Sequence, residues 1–481
     1  MGLGFRILKN TTYLTLGDKV GYILQFIFFL YFARKYGVVS TGEYSFAFFY
    51  GYALSIFSNF GISFYLIREV AASNQTDRRL FSACLITRII STCIIFTLGF
   101  VIAYLLFNDV SKQKLFIIFC WGIYWLFFNI ADTLTSELVA HEKMSSVALL
   151  GFVLKLMSAM GGIFLIYVGL DYDLVMLSFP VSSFLYLILC FWISFHYLGG
   201  IRIKIENREY YKKLFRSLLP FFLALILTEV LFFQDVLLLG FIKSDESVGL
   251  YSSAIKIISF ILGVSVFLTM AILPALSRLY VESKSRLIHL TETSIRFLIN
   301  IGLPMSFGLT MTSRKIINLL YSDQFAHCNI ILQIASWTIL MGFLQALLSA
   351  VLTAIDRQKE KVFYMGITFL ASLFFYAGLI YKFDYLGAAI AYSITSFISL
   401  IFFTHLVSKY LYSIPIYSKL FKPTLACIIM SLFIYFFDNF SVILIIPLSA
   451  VIYVLSLVLL KAFNKEEMNF IMNTITVWNK R

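Results

Sequence analysis

The amino-acid sequence predicts an all-α, polytopic membrane protein of about fourteen transmembrane helices. Three observations predict it. Cut at its turn residues, the chain leaves apolar stretches close to the roughly 20 residues that cross a bilayer. Its composition is 60% hydrophobic and 18% aromatic, with a mean hydropathy of +0.90. Only 13% of residues are charged, against about a quarter in soluble domains. Finally, the basic residues collect in alternate connections.

The spans fall near 12–33, 44–66, 80–107, 114–139, 146–168, 174–197, 218–241, 248–275, 293–312, 328–354, 362–381, 385–408, 419–437 and 440–461. The first apolar run is too long for a signal peptide, and no small-residue cleavage site follows a short apolar core, so an uncleaved N-terminus is expected. An even span number puts both termini on one side. The connections expected on that side carry 26 Lys and Arg, and the opposite connections carry 8. The bias places N- and C-termini in the cytoplasm. It also accounts for the net charge of +13 as an orientation signal and a match to anionic headgroups, with no nucleic acid partner required.

The longest polar connection, near 198–217, carries Arg202, Lys204, Arg208, Lys212, Lys213 and Arg216. It reads as a cytoplasmic linker lying along headgroups. The six cysteines form no CxxC pair and are expected as packed, reduced thiols. The five histidines have no metal spacing, and no metal or cofactor is expected.

Two halves of the chain resemble each other. Gly42-Glu43-Tyr44-Ser45 returns as Gly249-Leu250-Tyr251-Ser252, and Leu138-Val139-Ala140 as Leu352-Thr353-Ala354. Asp171 pairs with Asp384, and Ser183-Phe184 with Ser396-Phe397. The order is kept with a small slip in offset. Spans 1–6 and 7–12 therefore read as two copies inserted in the same direction, with spans 13 and 14 appended. The expected organisation is an N-lobe over 1–200, a basic linker over 201–217, a C-lobe over 218–410, and two extra helices with a tail over 411–481.

Polar residues recur at helical spacing in several spans: Ser55, Ser58 and Asn59; Asn129, Asp132 and Ser136; Lys155 and Ser158; Ser252, Lys256 and Ser259. Small residues on such a face serve helix packing as readily as a wet cleft. A charge deep in a span costs at least ~2.5–3.5 kcal/mol unless it meets a partner or water. Lys155 and Lys256 lie two to three turns inside their spans, one in each copy, so they are expected to face a hydrated cavity. Arg88 and Lys19 lie nearer span ends, where snorkelling to headgroups competes with a cavity role. Paired cations suit an anionic ligand such as a pyrophosphate. Asp18, Asp132, Glu229 and Asp235 either neutralise these cations or carry protons or sodium. Asn59, Asn129, Ser136, Ser252 and Ser259 are expected to line the cavity. Pro180, Pro220 and Pro274 predict bends that serve as static kinks or as gates.

With Leu219-Pro220-Phe221, Gln234-Asp235, Leu239-Gly240, Val248-Gly249-Leu250-Tyr251, Leu273-Pro274-Ala275-Leu276 and Gly387-Ala388-Ala389 in this order, the chain resembles the O-antigen and capsule repeat-unit flippases. These are polysaccharide-biosynthesis members of the multidrug/oligosaccharidyl-lipid/polysaccharide exporter superfamily. The resemblance implies two six-helix lobes in a V-shaped, alternating-access arrangement, plus two C-terminal helices. It implies transport of a polyprenyl-pyrophosphate-linked oligosaccharide from the inner to the outer leaflet of a bacterial inner membrane, driven by a proton or sodium gradient, with no enzymatic step. Lys155, Lys256, Arg88 and Lys19 would hold the pyrophosphate; Asp235, Glu229, Asp132 and Asp18 would couple to the ion. The implied partners are the lipid-linked glycan, membrane lipid and polysaccharide polymerase or assembly proteins, with the carrier itself a monomer. In one departure from relatives that carry arginines in the first two spans, the first span here has only Lys19 and Arg34 near its ends, and the second has no interior charge.

Two other functions fit the composition. A multidrug exporter of the same fold would favour an acidic cavity, against Lys155 and Lys256. A membrane polymerase or ligase would need a long outer loop with paired catalytic groups, and no such loop is present. No GxxxxGK[ST] nucleotide site occurs.

Overall fold

The computed structural model describes residues 3–73, 78–107, 111–198, 204–414 and 416–462; the side chains of 3–19, 73, 198, 267 and 416–418 lie outside the description. Among the described residues all regular structure is helical. The first half holds α1 (Leu3–Asn59), α2 (Ile62–Ser73), α3 (Arg78–Phe107), α4 (Lys112–Ala140), α5 (Met144–Tyr167), α6 (Tyr172–Met176) and α7 (Ser178–Leu198). There follow α8 (Arg208–Glu229), α9 (Gln234–Ile242), α10 (Asp245–Glu282), α11 (Lys284–Leu320), α12 (Cys328–Ala335), α13 (Thr338–Ala354), α14 (Gln358–Tyr410), α15 (Ile416–Phe436) and α16 (Val442–Leu459).

By length and composition, eleven helices among the described residues could cross a membrane, or twelve if α12 and α13, bent by 40°, form one span. That is fewer than the fourteen expected, and the difference lies in α1 and α14. A straight helix of 57 residues would run about 85 Å, far beyond a bilayer. Instead α1 folds back at Gly37 (φ 83°, ψ −174°), a conformation suited to glycine. The Tyr44 ring lies 5.2 Å from Phe32 and 6.1 Å from Phe28, residues a straight helix would hold roughly 18 and 24 Å away. The 53-residue α14 turns the same way at Asp384 (φ 56°, ψ −136°). There a Cβ on Gly387 would run into the Leu379 carbonyl, which a straight helix would place about 12 Å away. Each of these helical runs was expected as two separate spans.

The basic segment expected as a linker over 201–217 is helical from Arg208, so it is shorter than predicted. Asn207 caps α8 by accepting from Tyr210 N at 2.9 Å, which carries Arg208, Lys212, Lys213 and Arg216 on the first turns of a membrane-length helix.

The chain divides into two compact units, one through Ser252 and one from Ser253, with the border inside α10. The first unit is built on aromatic contacts. Trp121 lies 4.5 Å from Phe179 and 5.4 Å from Tyr44, and Phe28 lies 5.4 Å from Phe179. Gly162 gives room to Phe28, and Gly240 to Phe46. In the second unit α15 and α16 close on α11 through Leu303, Ala426, Cys427, Met430, Ile445 and Tyr453. Lys419 pairs with Glu292 at 3.4 Å and Lys315 with Asp438 at 2.8 Å, pinning that helix pair at two points. Five of the six thiols are packed as expected: Cys84, Cys120, Cys190, Cys328 and Cys427 are buried, Cys93 is exposed, and none forms a disulfide.

The internal repeat has a backbone counterpart. After α4 the chain turns through Glu142 (φ 58°), with Glu142 N bonded to Val139 O and Lys143 N to Leu138 O. After α13 it turns through Asp356 (φ 57°), with Asp356 N bonded to Thr353 O and Arg357 N to Leu352 O. Each residue of the second turn lies 214 positions after its counterpart in the first. The same left-handed closure of a helix end in both halves is more specific than any of the sequence matches.

Candidate functional site

The polar residues of the early spans meet inside the first unit. Between α1 and α2 the chain passes through Phe60 (φ 52°) and Gly61 (φ 76°). This turn lets Asn59 Oδ1 accept from Ser63 N at 3.4 Å. The single Ser63 hydroxyl proton is donated to Asp132. Arg88, fully buried, crosses from α3 to the same carboxylate at 2.6 Å and donates from Nε to the Asn129 carbonyl at 2.8 Å. Asn129 takes a bond from Ser55 Oγ at 2.7 Å and gives one to Ser58 Oγ at 2.9 Å. Ser136 Oγ donates to the Asp132 carbonyl at 2.7 Å.

This network changes the reading of several residues. Arg88 neither snorkels nor faces open space: a carboxylate and a carbonyl hold it in place. Asn129 and Ser136 are 1% and 3% exposed, so they sit within the packed unit rather than lining a cavity. Asn59 caps α2. Burial explains this, because polar groups in a dry interior must satisfy one another. Asp132 is the open edge, with 29% of its side chain exposed. The guanidinium Nη1 of Arg88 remains without a hydrogen bond.

Lys155, on α5, packs its stem against Gly21 of α1, where a Cβ would overlap it. Its ammonium sits 3.8 Å from the centre of the Tyr22 ring. That contact holds a cation without cancelling its charge. Lys256 lies one turn beyond Ser252 on α10 and belongs to the second unit. Ser252 is buried with an unbonded Oγ, and Ser259 is exposed. Asp18 and Lys19 lie outside the residues whose side chains are described.

Two further carboxylates are held by tyrosines. Tyr52 on α1 donates to Glu229 Oε2 at 2.7 Å, its ring 5.1 Å from Trp125. Tyr251 donates to Asp235 Oδ2 at 2.7 Å, and Val236 N bonds Oδ1 at 2.8 Å. Each carboxylate thus accepts a hydrogen bond from a neutral tyrosine hydroxyl.

Sequence reasoning missed one cluster. Lys114 lies 2.5 Å from Asp245, with buried Glu43 beside them accepting from Ser111 Oγ at 3.4 Å. All three lie at span ends, where charges are common, so their sequence positions give no signal of a cluster.

A family model described as "Polysaccharide biosynthesis protein" matches residues 7–280. The chain belongs to that family. A second family model, MatE, matches residues 220–377. No curated protein matched the chain. Among solved structures, the fold is similar to "Lipid II flippase MurJ, inward closed conformation", at 16% identity and a TM-score of 0.78 over 93% of this chain and 98% of that one. It is also similar to an inward-facing multidrug resistance MATE family transporter of the MOP superfamily, at 12% identity and 0.60 over 81% and 95%. A MOP superfamily transporter from Pyrococcus furiosus, reported with reversed pocket polarity, is similar at 14% identity and 0.57 over 83% and 96%. The protein is therefore a polytopic membrane member of the polysaccharide biosynthesis family, with the fold of the MOP superfamily.

Proposed function

We propose that this protein is a flippase that moves a polyprenyl-pyrophosphate-linked oligosaccharide, such as an O-antigen or capsule repeat unit, from the cytoplasmic to the outer leaflet of a bacterial inner membrane. The observation that carries the reading is the nearly full-length fold likeness to a protein described as a lipid II flippase, in a chain of the polysaccharide biosynthesis family. Lys155 and Lys256 supply the positive charge for the diphosphate. Arg88 can join them only if Asp132 releases it. Asp132, Glu229 and Asp235 are the groups that load a proton or sodium, each holding a donor that a bound ion could replace. The termini face the cytoplasm by the basic bias, and the carrier works as a monomer beside polymerase and assembly proteins.

The test is export of the glycan in cells carrying Lys155→Ala or Lys256→Ala. Inserted protein with export lost is the expected outcome, with glutamate worse than alanine at each position. Normal export by both alanine variants overturns the cationic site. The MatE match over 220–377 supports multidrug export as the second reading. A deletion strain that is drug-sensitive yet makes normal surface glycan would select it.

A further inference from the structure

At the end of the helices that carries Lys112, Lys114 and Lys243, and which the charge bias assigns to the outer face, two repeat-related segments cross. A Cβ on Gly42 would strike the Asp245 carbonyl and lie 2.9 Å from Gly249 N; one on Gly249 would strike the Val38 carbonyl. Gly42 and Gly249 are counterparts in the internal repeat, 207 residues apart. Backbones approach this closely only where both helices lack side chains.

Around the crossing lie three charges. Lys114 is 3% exposed, 2.5 Å from Asp245, and over the rings of Phe107 at 4.4 Å and Phe46 at 4.5 Å. Glu43 follows Gly42 directly and is 6% exposed. The groups facing it are Ser111 and Lys114 of α4 with its cap, Asp245 of α10, and the buried Tyr172 and exposed Asp173 of α6. Tyr172 itself donates to the Ser40 carbonyl at 3.2 Å. Among the described residues, one buried cation thus serves the two packed carboxylates, Glu43 and Asp245, with exposed Asp173 adding to the negative side, so the cluster carries negative charge in excess. A desolvated excess charge opposes closure, and a proton removes it.

We propose that Glu43, Lys114 and Asp245 form a proton-binding latch on the Gly42–Gly249 crossing, with Glu43 taking a proton from the outer solution as the crossing closes and returning to carboxylate as it opens. The site is separate from the acids named above for ion coupling, but the inference rests on the ion-coupled, alternating-access reading. The sign follows from linkage: the closed state holds one more proton, so acid favours closure and alkali favours opening.

The experiment places a reporter at Ser247, 4% exposed and between Asp245 and Gly249, as Ser247→Cys with the six native cysteines replaced. A membrane-impermeant maleimide is applied outside spheroplasts at graded pH. Labelling should rise several-fold from mildly acidic to mildly alkaline buffer. Glu43→Gln and, independently, Asp245→Asn each remove the excess charge and should leave labelling low and flat. Lys114→Met adds excess charge and should move the rise to lower pH. A flat response in the otherwise unaltered reporter overturns the latch, as does an unchanged response in whichever of the two neutralising variants inserts. Glycan export is read in the same cells. A flat response with normal export removes the latch and leaves the flippase; a pH-driven response without export does the reverse.

Discussion

The Arg88–Asp132 pair offers the most demanding test of the packed polar network. Arg88 is fully buried, while Asp132 keeps 29% of its side chain exposed. The two partners therefore do not tolerate loss of the other equally. Asp132→Leu leaves a guanidinium sealed from water with its charge uncompensated, and removing one partner of a buried pair costs about 3–5 kcal/mol. Arg88→Met leaves a carboxylate that is only partly buried, and the expected cost is about 1–3 kcal/mol. Asp132 also keeps its bond from Ser63. The double variant removes both charges and should be more stable than Asp132→Leu alone, giving a favourable coupling energy between the sites. The assay is thermal denaturation of the four purified proteins in one detergent, read as the fraction surviving size exclusion after heating. The reasoning fails if Arg88→Met is the more damaging single change, or if the double variant loses as much as both singles together.

Other consequences follow from the same geometry. Gly249→Leu should strongly reduce folded protein, because its Cβ alone would enter the space of the Val38 carbonyl; membrane yield near that of the parent would contradict the close crossing. Asp384→Gly should stabilise the protein by about 1 kcal/mol, since Asp384 sits at φ 56°, ψ −136° inside α14; a lower melting temperature would show that its side chain matters more than its backbone. Tyr52→Phe removes the described donor to Glu229 Oε2 and should change the ion dependence of transport while leaving insertion intact. Ion dependence unchanged from the parent in both Tyr52→Phe and Glu229→Gln would clear that pair of a coupling role.

Much of this architecture was legible in the residues. Apolar run length gives helices, because hydrocarbon allows the backbone no partner outside the helix. The matched motifs near Ala140 and Ala354 anticipated two identical helix ends at Glu142 and Asp356. The residues of the polar stripes were visible too, since helical spacing gathers them on one face. Their role was not. Asn129, Ser136 and Arg88 read as cavity or ligand residues, yet they are buried and bonded to neighbouring helix groups: Arg88 to Asp132 and the Asn129 carbonyl, Ser136 to the Asp132 carbonyl.

What the sequence alone determined is the set of one-dimensional properties: helical type and the approximate positions of the apolar runs. These depend on local hydrophobicity and periodicity, which neighbours in the chain already specify. Only the tertiary structure decided which charges meet. Arg88 reaches Asp132 across 44 positions, and Lys114 reaches Asp245 across 131. Electrostatic energy depends on distance and burial, and both arise when distant helices pack. The folding back of α1 at Gly37 and α14 at Asp384 was settled at the same level, by one backbone conformation at each point.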